Sequence, residues 1–363
     1  NARRNGLDHI IDCKAANVFD LLPQLEKEPR VYDFIILDPP AFTKSRKTIA
    51  NAMTGYYFDS TEHFEENLEI LLSFVSIPYF TEESVAKEQG IIGQEIRMYD
   101  DSADWRVLFN LLGALYHKNP VKIDIAGTVE SIAEITSDLL YDCYNTFYNL
   151  HNMVLTVAGN FDMETVLKVA DKVLEPAKDF YLERAICDEP DSVAENYVEQ
   201  HLPVAVPMFN IGFKGKTGTE AENFRGSILD EIFVGALCDD YTKVYRELYD
   251  EGIINATFGS EVFCGRDYIS ILLSGESREP EKVYNRLKEE FEHLLEHGIP
   301  EEVFSCAQKT VYGHYMRSYD RVTGVATALF NCHFPGVDMY EMLDIAAKAT
   351  PESVIERIKS TYC

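Results

Sequence analysis

The chain has 363 residues, of which 46% are hydrophobic and 26% are charged, a composition typical of globular proteins with sizeable buried cores. Its 33 lysines and arginines stand against 61 aspartates and glutamates, and the net charge of −28 disfavours binding to nucleic acid or to an anionic membrane. No run of about 18 apolar residues predicts a membrane-spanning helix. The eight scattered cysteines, without a CxxC pair, indicate reduced thiols in the cytoplasm.

The opening segment predicts the start of an α/β unit. Residues 31–37 form a short apolar run, in part β-branched, and Asp38, Pro39 and Pro40 follow it. Because proline cannot extend a strand ladder, we predict a buried strand that ends here. A carboxylate at the carboxyl end of a parallel strand lies where open α/β sheets bind ligands, so Asp38 is a candidate ligand-binding residue. The alternative is a turn residue that ends the strand.

Helical periodicity replaces this pattern after residue 58. In chain order we predict helices over 63–77 and 82–99, a buried strand over 152–159, a helix over 163–174 and an acidic linker over 188–196. A second series follows, with a strand over 206–213, a long helical region over 219–249, a hairpin over 256–275, and helices over 280–297, 301–317 and 351–360. The similar order of elements in the two halves suggests a loose internal duplication.

Two carboxylates of the predicted helix 82–99 form a candidate metal-binding pair. Glu88 and Glu95 are seven residues apart, nearly two helical turns, and each lies three or four residues from apolar positions. We therefore expect both on the buried face, where an unpaired carboxylate is costly without a cation or hydrogen-bond partners. One interpretation is a metal ligand with a supporting acid. The alternative is a pair of acids neutralised by Lys87 or Arg97.

The run His293-Leu-Leu-Glu296-His297 matches HxxEH, in which two histidines on one helix face bind zinc and the glutamate acts as a base. These polar residues, however, lie beside the apolar stripe of the predicted helix 280–297, and Gly298 ends the helix directly after them. We interpret the motif as an exposed helix end. The alternative, a zinc site at this position, would need a third protein ligand.

Residues 1–56 resemble an internal slice of the class I S-adenosylmethionine-dependent methyltransferases that act on ribosomal RNA cytosines. The residues that carry this resemblance are Asn17, Asp38, Pro39, Pro40 and Phe42. The resemblance implies that the strand end at Asp38 faces the target base and that Asn17 lies near the adenine of the cofactor. The glycine-rich cofactor loop of that family has no counterpart in this chain, so we do not expect S-adenosylmethionine to bind.

Residues 57–363 are similar to the insulinase/pitrilysin-type zinc metallopeptidases, the inverzincins, and most closely to their bacterial cytosolic members. The segments that carry the similarity are 83–95, 116–121, 127–132, 152–160 and 244–252. The resemblance implies zinc as the family's cofactor, a peptide or protein substrate, and a homodimer or heterodimer. It also implies that Glu95 corresponds to the third zinc ligand and Glu88 to the acid that supports it.

Two departures from this family affect function. The HxxEH helix that precedes the third ligand in the family has no match ahead of Glu95, where the methyltransferase-like slice stands instead. Active relatives hold the substrate with an arginine and a later tyrosine, whereas Tyr249 and Asn255 stand near those positions. We therefore expect no catalytic residue, no tightly bound zinc, and a non-catalytic peptide-binding or partner subunit. The alternatives are a methyltransferase fusion and a peptidase that uses the motif at His293.

The predicted fold class is α+β. We expect two related peptidase-family units, over 57–190 and 191–363, each with helices packed on an antiparallel sheet. A short α/β methyltransferase-like fragment over 1–56 precedes them. No substrate-binding residue can be named from the sequence.

Overall fold

The computed structural model describes residues 56–58, 60, 62–178, 182 and 187–363. The methyltransferase-like fragment, apart from its last residue, and the predicted strand 31–37 lie outside these residues. The same holds for the motif residues Asn17, Asp38, Pro39, Pro40 and Phe42, so these predictions stay untested.

The described residues form mostly helices. The helices that precede the first strand are α1 (Phe64–Ser76), α2 (Glu82–Asp100), α3 (Ala103–Leu115), α4 (Val129–Ala133), α5 (Ser137–Phe147) and α6 (Met163–Val173), with short 3-10 turns at Pro120–Lys122 and Leu150–Asn152. The elements that follow are β1 (Met208–Lys214), α7 (Glu220–Cys238), α8 (Lys243–Asp250), β2 (Gly259–Cys264), β3 (Ile269–Glu276), α9 (Pro280–His297), α10 (Glu301–Tyr319), α11 (Val322–His333), α12 (Met339–Lys348) and α13 (Pro351–Tyr362).

The chain divides into two compact units, one of Asn1–Ile77 with Asp162–Leu174 and one of Pro78–Phe161 with Glu175–Cys363. In the first unit α1 packs against α6, and Lys172 forms an ion pair of 2.7 Å with Glu69. This division follows spatial contacts, whereas the predicted boundary between 190 and 191 follows family resemblance. The predicted boundary therefore stays a prediction.

The second unit is built around a three-stranded antiparallel sheet in the order β1-β3-β2. In the central strand β3, Ile271 lies opposite Phe213 of β1 and Val262 of β2. The buried residues of β3 are Ile269, Ser270, Ile271, Leu272 and Leu273. This continuous run of buried residues shows that both faces of the sheet are covered.

Helices from the first and the second half of the sequence cover this sheet. Helix α7 packs on β2 and β3 and on helices α10, α12 and α13, and it contributes the fully buried Ile228, Ile232 and Phe233 to the core. Helix α3 crosses β1 at Gly212, where a Cβ atom would lie 2.8 Å from Leu115 Cδ1. Glycine at this position therefore permits the close approach of helix and strand.

Threonine side chains determine where several helices begin. Thr81, Thr128, Thr219 and Thr350 each accept the amide of the residue three positions later, whose side chain binds back to the threonine amide. These capping boxes satisfy donors that the first helical turn leaves unpaired. The starts of these four helices are thus encoded locally.

Several predicted elements are confirmed and one is wrong. The helices over 63–77, 82–99, 163–174, 280–297, 301–317 and 351–360, the strand near 206–213 and the hairpin over 256–275 are present within a few residues. The helical region 219–249 is two helices, because Thr242 caps a new helix after Asp239. The run 152–159 is not a strand: no strand among the described residues lies beside it in a sheet, and Met153 and Leu155 are exposed. An apolar run becomes a strand only when a neighbouring strand satisfies its backbone.

The sequence predicts no membrane-spanning helix. Among the helices that the structure describes, none is both long enough and apolar enough to cross a bilayer.

Candidate functional site

Helix α2 carries the two predicted metal-site carboxylates. Thr81 caps its start, and the buried side chains of Val85, Ile96 and Tyr99 hold it on the second unit. Because seven residues correspond to nearly two turns, Glu88 and Glu95 lie on the same side of the helix, as their spacing predicts.

The expected burial of these two carboxylates is only half correct. Glu95 is partly buried, whereas Glu88 is exposed. Glu88 and Glu95 lie along the edge of the buried stripe of α2. The polar side chain within the stripe is that of Gln89. The Gln89 side-chain amide donates to the backbone oxygens of Ile132 at 3.0 Å and Ile135 at 2.8 Å. The polar group that α2 contributes to its buried face is therefore an amide that ties α2 to α4.

The histidines that the structure describes do not complete a zinc site around Glu95. In the whole sequence the pair four residues apart is His293 and His297, and the histidines that precede Glu95 are His9 and His63. Within the described part of the chain, no three His, Cys, Asp or Glu side chains are grouped so that they could hold a metal ion. Catalytic zinc requires three protein ligands, so the residues present do not fit the family's metal.

The motif at His293 lies at the exposed end of α9, as predicted. Leu287, Phe291 and Leu294 of this helix are buried, whereas His293, Glu296 and His297 are exposed. The two imidazole rings stack with their centroids 4.5 Å apart, and His297 Nδ1 lies 3.2 Å from the backbone oxygen of His293. His297 thus contacts the last helical turn, where a cation or a donor is favourable.

Tyr249 and Asn255, which the resemblance predicts near the substrate-holding positions of active relatives, have local contacts in this chain. The ring of Tyr249, 47% exposed, stacks on Tyr245 with a centroid separation of 5.8 Å. The amide nitrogen of Asn255 donates to Glu276 Oε2 at 2.9 Å, and its oxygen accepts from the backbone nitrogen and hydroxyl of Thr257. Asn255 is thereby engaged in holding its loop to the end of β3.

A buried carboxylate site lies elsewhere in the second unit. Glu189 Oε1 accepts from the His117 amide at 2.7 Å, and Oε2 accepts from the amides of Lys118 at 2.7 Å and Asn119 at 2.8 Å. The Lys214 ammonium donates to Glu189 Oε1 at 2.6 Å, and the two side chains are only 4% and 9% exposed. Lys214 Nζ also lies 5.0 Å from the centroid of the Tyr116 ring.

This environment keeps the Glu189 carboxyl ionised. Burial alone would raise the pKa of Glu189, but the hydrogen bonds from Lys214 and the three backbone amides lower it to about 2. Sequence reasoning missed this site, since it assigned Glu189 to a linker. The amide donors lie 70 to 72 residues away and Lys214 lies 25 residues away, so no local spacing reports the arrangement.

Known proteins match both the sequence and the fold. Residues 134–311 match the family described as the Peptidase M16 inactive domain. The zinc protease YmfH of Bacillus subtilis is 33% identical over 308 residues, which cover 83% of this chain and 71% of that protein. This chain belongs to the M16 peptidase family. The predicted membership in the zinc metallopeptidases is thereby confirmed, whereas the methyltransferase resemblance stays a prediction.

Other M16 proteins support the same fold. The crystal structure of an M16-like peptidase from Alicyclobacillus acidocaldarius superposes with a TM-score of 0.78 at 30% identity, covering 84% of this chain and 74% of that one. A Bacillus subtilis protein named a probable inactive metalloprotease, YmfF, is 20% identical over 76% of this chain and 65% of its own length. The relatives of this chain thus include a protein named as an uncharacterized zinc protease and a protein named as a probable inactive metalloprotease.

Proposed function

We propose that this chain is a non-catalytic M16 subunit that binds a peptide or a partner protein. The observation that carries the proposal is the position of the two histidines spaced for zinc binding. His293 and His297 lie at the exposed end of α9, and Glu95 lies on α2 with two histidines, His9 and His63, ahead of it in the chain. Two imidazoles at i and i+4 together with a third ligand are what a catalytic zinc needs, and the donor set of this chain does not supply them.

Two further observations support a role without catalysis. Asn255, which the resemblance predicts near the position of a substrate-holding tyrosine, forms hydrogen bonds with Glu276 and Thr257. The matched family model is that of the inactive M16 domain. We therefore place Glu95 as a remnant of the family's metal site, with Glu88 as an exposed acid beside it. No observation on the described residues supports the alternative of a methyltransferase fusion.

The chemistry of the ligand follows from charge. With a net charge of −28, the chain attracts cationic segments, so we propose that it binds basic peptides or a basic face of a partner chain, as a homodimer or heterodimer. A cytoplasmic location rests on the cysteines, since the seven that the structure describes form no disulfide.

The test measures metal content, cleavage and binding on the same preparation. After incubation with zinc and desalting, elemental analysis should find far less than one zinc per chain, and Glu95→Gln should not change it. An unstructured fluorogenic peptide should stay intact with or without a chelator. In fluorescence anisotropy, a lysine- and arginine-rich peptide should bind more tightly than an acidic peptide of equal length.

Two results would contradict the proposal. The first is stoichiometric zinc that is lost in Glu95→Gln, because it would show that Glu95 has the missing ligands after all. The second is peptide cleavage that a chelator abolishes. Equal binding of the basic and acidic peptides would refute the assigned ligand chemistry and leave the non-catalytic assignment in place.

A further inference from the structure

The contacts of Glu189 have the geometry of a ligand in a binding site. Backbone amides of the consecutive residues 117–119 all point at one carboxylate. Successive amides that converge in this way form a concave anion-binding nest. The ammonium of Lys214 supplies the counter charge at 2.6 Å, so each carboxylate oxygen accepts two hydrogen bonds.

The segment that carries Glu189 is held at several points. We name residues 187–195 the strap. Lys214 Nζ donates to the backbone oxygens of Pro190 at 2.7 Å and Ser192 at 2.9 Å, which together with Glu189 use its three protons. The amides of Ala194 and Glu195 both donate to the backbone oxygen of Ala114. The acidic stretch predicted as a linker is therefore fastened to α3 and to β1.

The nest is held in place by residues outside the strap. The side chain of Asn119 accepts from the Val121 amide and donates to the backbone oxygen of Asp267 at 3.1 Å. The hydroxyls of Tyr116 and Ser270 lie 2.6 Å apart in the core. Lys214 belongs to β1, where it pairs with Ser270 of β3. These contacts do not involve Glu189, so the site should persist when its carboxylate is removed.

We propose that the loop 117–119 and Lys214 form a carboxylate-binding site, and that Glu189 is its built-in ligand, which latches the strap onto the second unit. The ligand class is a small monocarboxylate, because the donors match two oxygens on one carbon, two donors to each oxygen. This inference does not depend on the proposed function. It predicts that a carboxylate supplied from solution can replace the missing side chain.

The experiment compares Glu189→Ala with Glu195→Ala, which removes an exposed carboxylate from the same strap. Glu189→Ala should lower the melting temperature by about 2–4 °C and speed hydrogen exchange of the 117–119 amides by at least about tenfold. Added sodium acetate should reverse both effects, whereas sodium chloride at the same ionic strength should not. Glu195→Ala should match the unmodified chain under all conditions.

Two further variants make the outcome decisive. Adding Lys214→Met to Glu189→Ala should abolish the acetate response, because the ammonium provides the counter charge. If Glu189→Ala does not fold, Glu189→Gln keeps the side-chain shape and should still expose the 117–119 amides faster than Glu195→Ala does. The proposal is overturned if acetate affects Glu189→Ala no more than Glu195→Ala, or if Glu189→Gln exchanges like the unmodified chain.

Discussion

Asp230 and Arg357 lie face to face, joined by two hydrogen bonds of 3.0 Å between Oδ1 and Nε and between Oδ2 and a terminal guanidinium nitrogen. Asp230 is fully buried, and Tyr362 adds a third hydrogen bond at 3.2 Å. The pair fastens α13 to α7 across 127 residues of sequence. Burial raises the pKa of Asp230 in spite of these partners, whereas burial would lower the pKa of Arg357 but its hydrogen bonds to Asp230 raise it.

The first prediction is that removing one partner of the Asp230–Arg357 pair lowers the free energy of unfolding more than replacing both partners with apolar residues does. Arg357→Met should destabilise the chain by about 3–5 kcal/mol, because it leaves a buried carboxylate without its cation. Adding Asp230→Leu should recover a large part of that loss, since no buried charge then remains. Urea unfolding of the two single variants and the double variant checks this. Additive losses would show that the two residues act independently.

The second prediction concerns Gly226, over which the Arg357 guanidinium lies. A Cβ atom at this position would be 2.7 Å from Arg357 Nε, and Asp230 prevents the guanidinium from moving away. Gly226→Ala should therefore cost about 1–3 kcal/mol. The matched control is Gly313→Ala in α10, where no atom lies within 4 Å of the new Cβ. This control should stabilise the helix by about 0.5–1 kcal/mol, and a Gly226→Ala variant as stable as the control would contradict the packing argument.

The third prediction is a pH dependence. The pKa of Glu189 is lowered from 4.5 to about 2, so the folded chain binds this proton less readily than the unfolded chain does. The stability from Glu189, up to about 3 kcal/mol, should be complete above pH 4.5 and should disappear as the pH falls towards 2. Urea unfolding at several pH values should show the deficit of Glu189→Ala shrinking on acidification. A deficit independent of pH would exclude this ionisation as its source.

The fourth prediction concerns the exposed histidines at the end of α9. Changing both His293 and His297 to Gln should alter the free energy of unfolding by less than about 0.5 kcal/mol, because neither side chain is buried. The zinc content of the preparation should be the same before and after the change. Loss of bound zinc in the double variant would revive the alternative of a metal site on this helix.

Periodicity predicted several of the helices that bury one stripe, although it missed α3 and α12. In α9, Val283, Leu287, Phe291 and Leu294 recur every three or four residues, and all four are buried. Helix α11 was missed because it lacks such a stripe. Its sequence between Val322 and Asn331 contains no charged residue, and Cys332 is its only buried side chain. A helix without a one-sided apolar stripe gives no period to detect.

The sites were less predictable than the helices. The seven-residue spacing placed Glu88 and Glu95 on one side of α2, but it could not tell the flank of the buried stripe from its centre. The Glu189 site depends on the path of the chain, because a loop, a strap and a strand far apart in sequence meet there. Local sequence patterns carry no information about such long-range contacts, because they depend on tertiary packing.

The bond between Tyr116 and Ser270 has a consequence for biosynthesis. The two residues are 154 positions apart. At about 5–20 residues per second, roughly 8–30 s pass between the synthesis of the tyrosine and that of its partner. Lys214 and the strap are also made after the loop 117–119. On the ribosome, the full set of contacts around this loop therefore cannot form until β3 has been made.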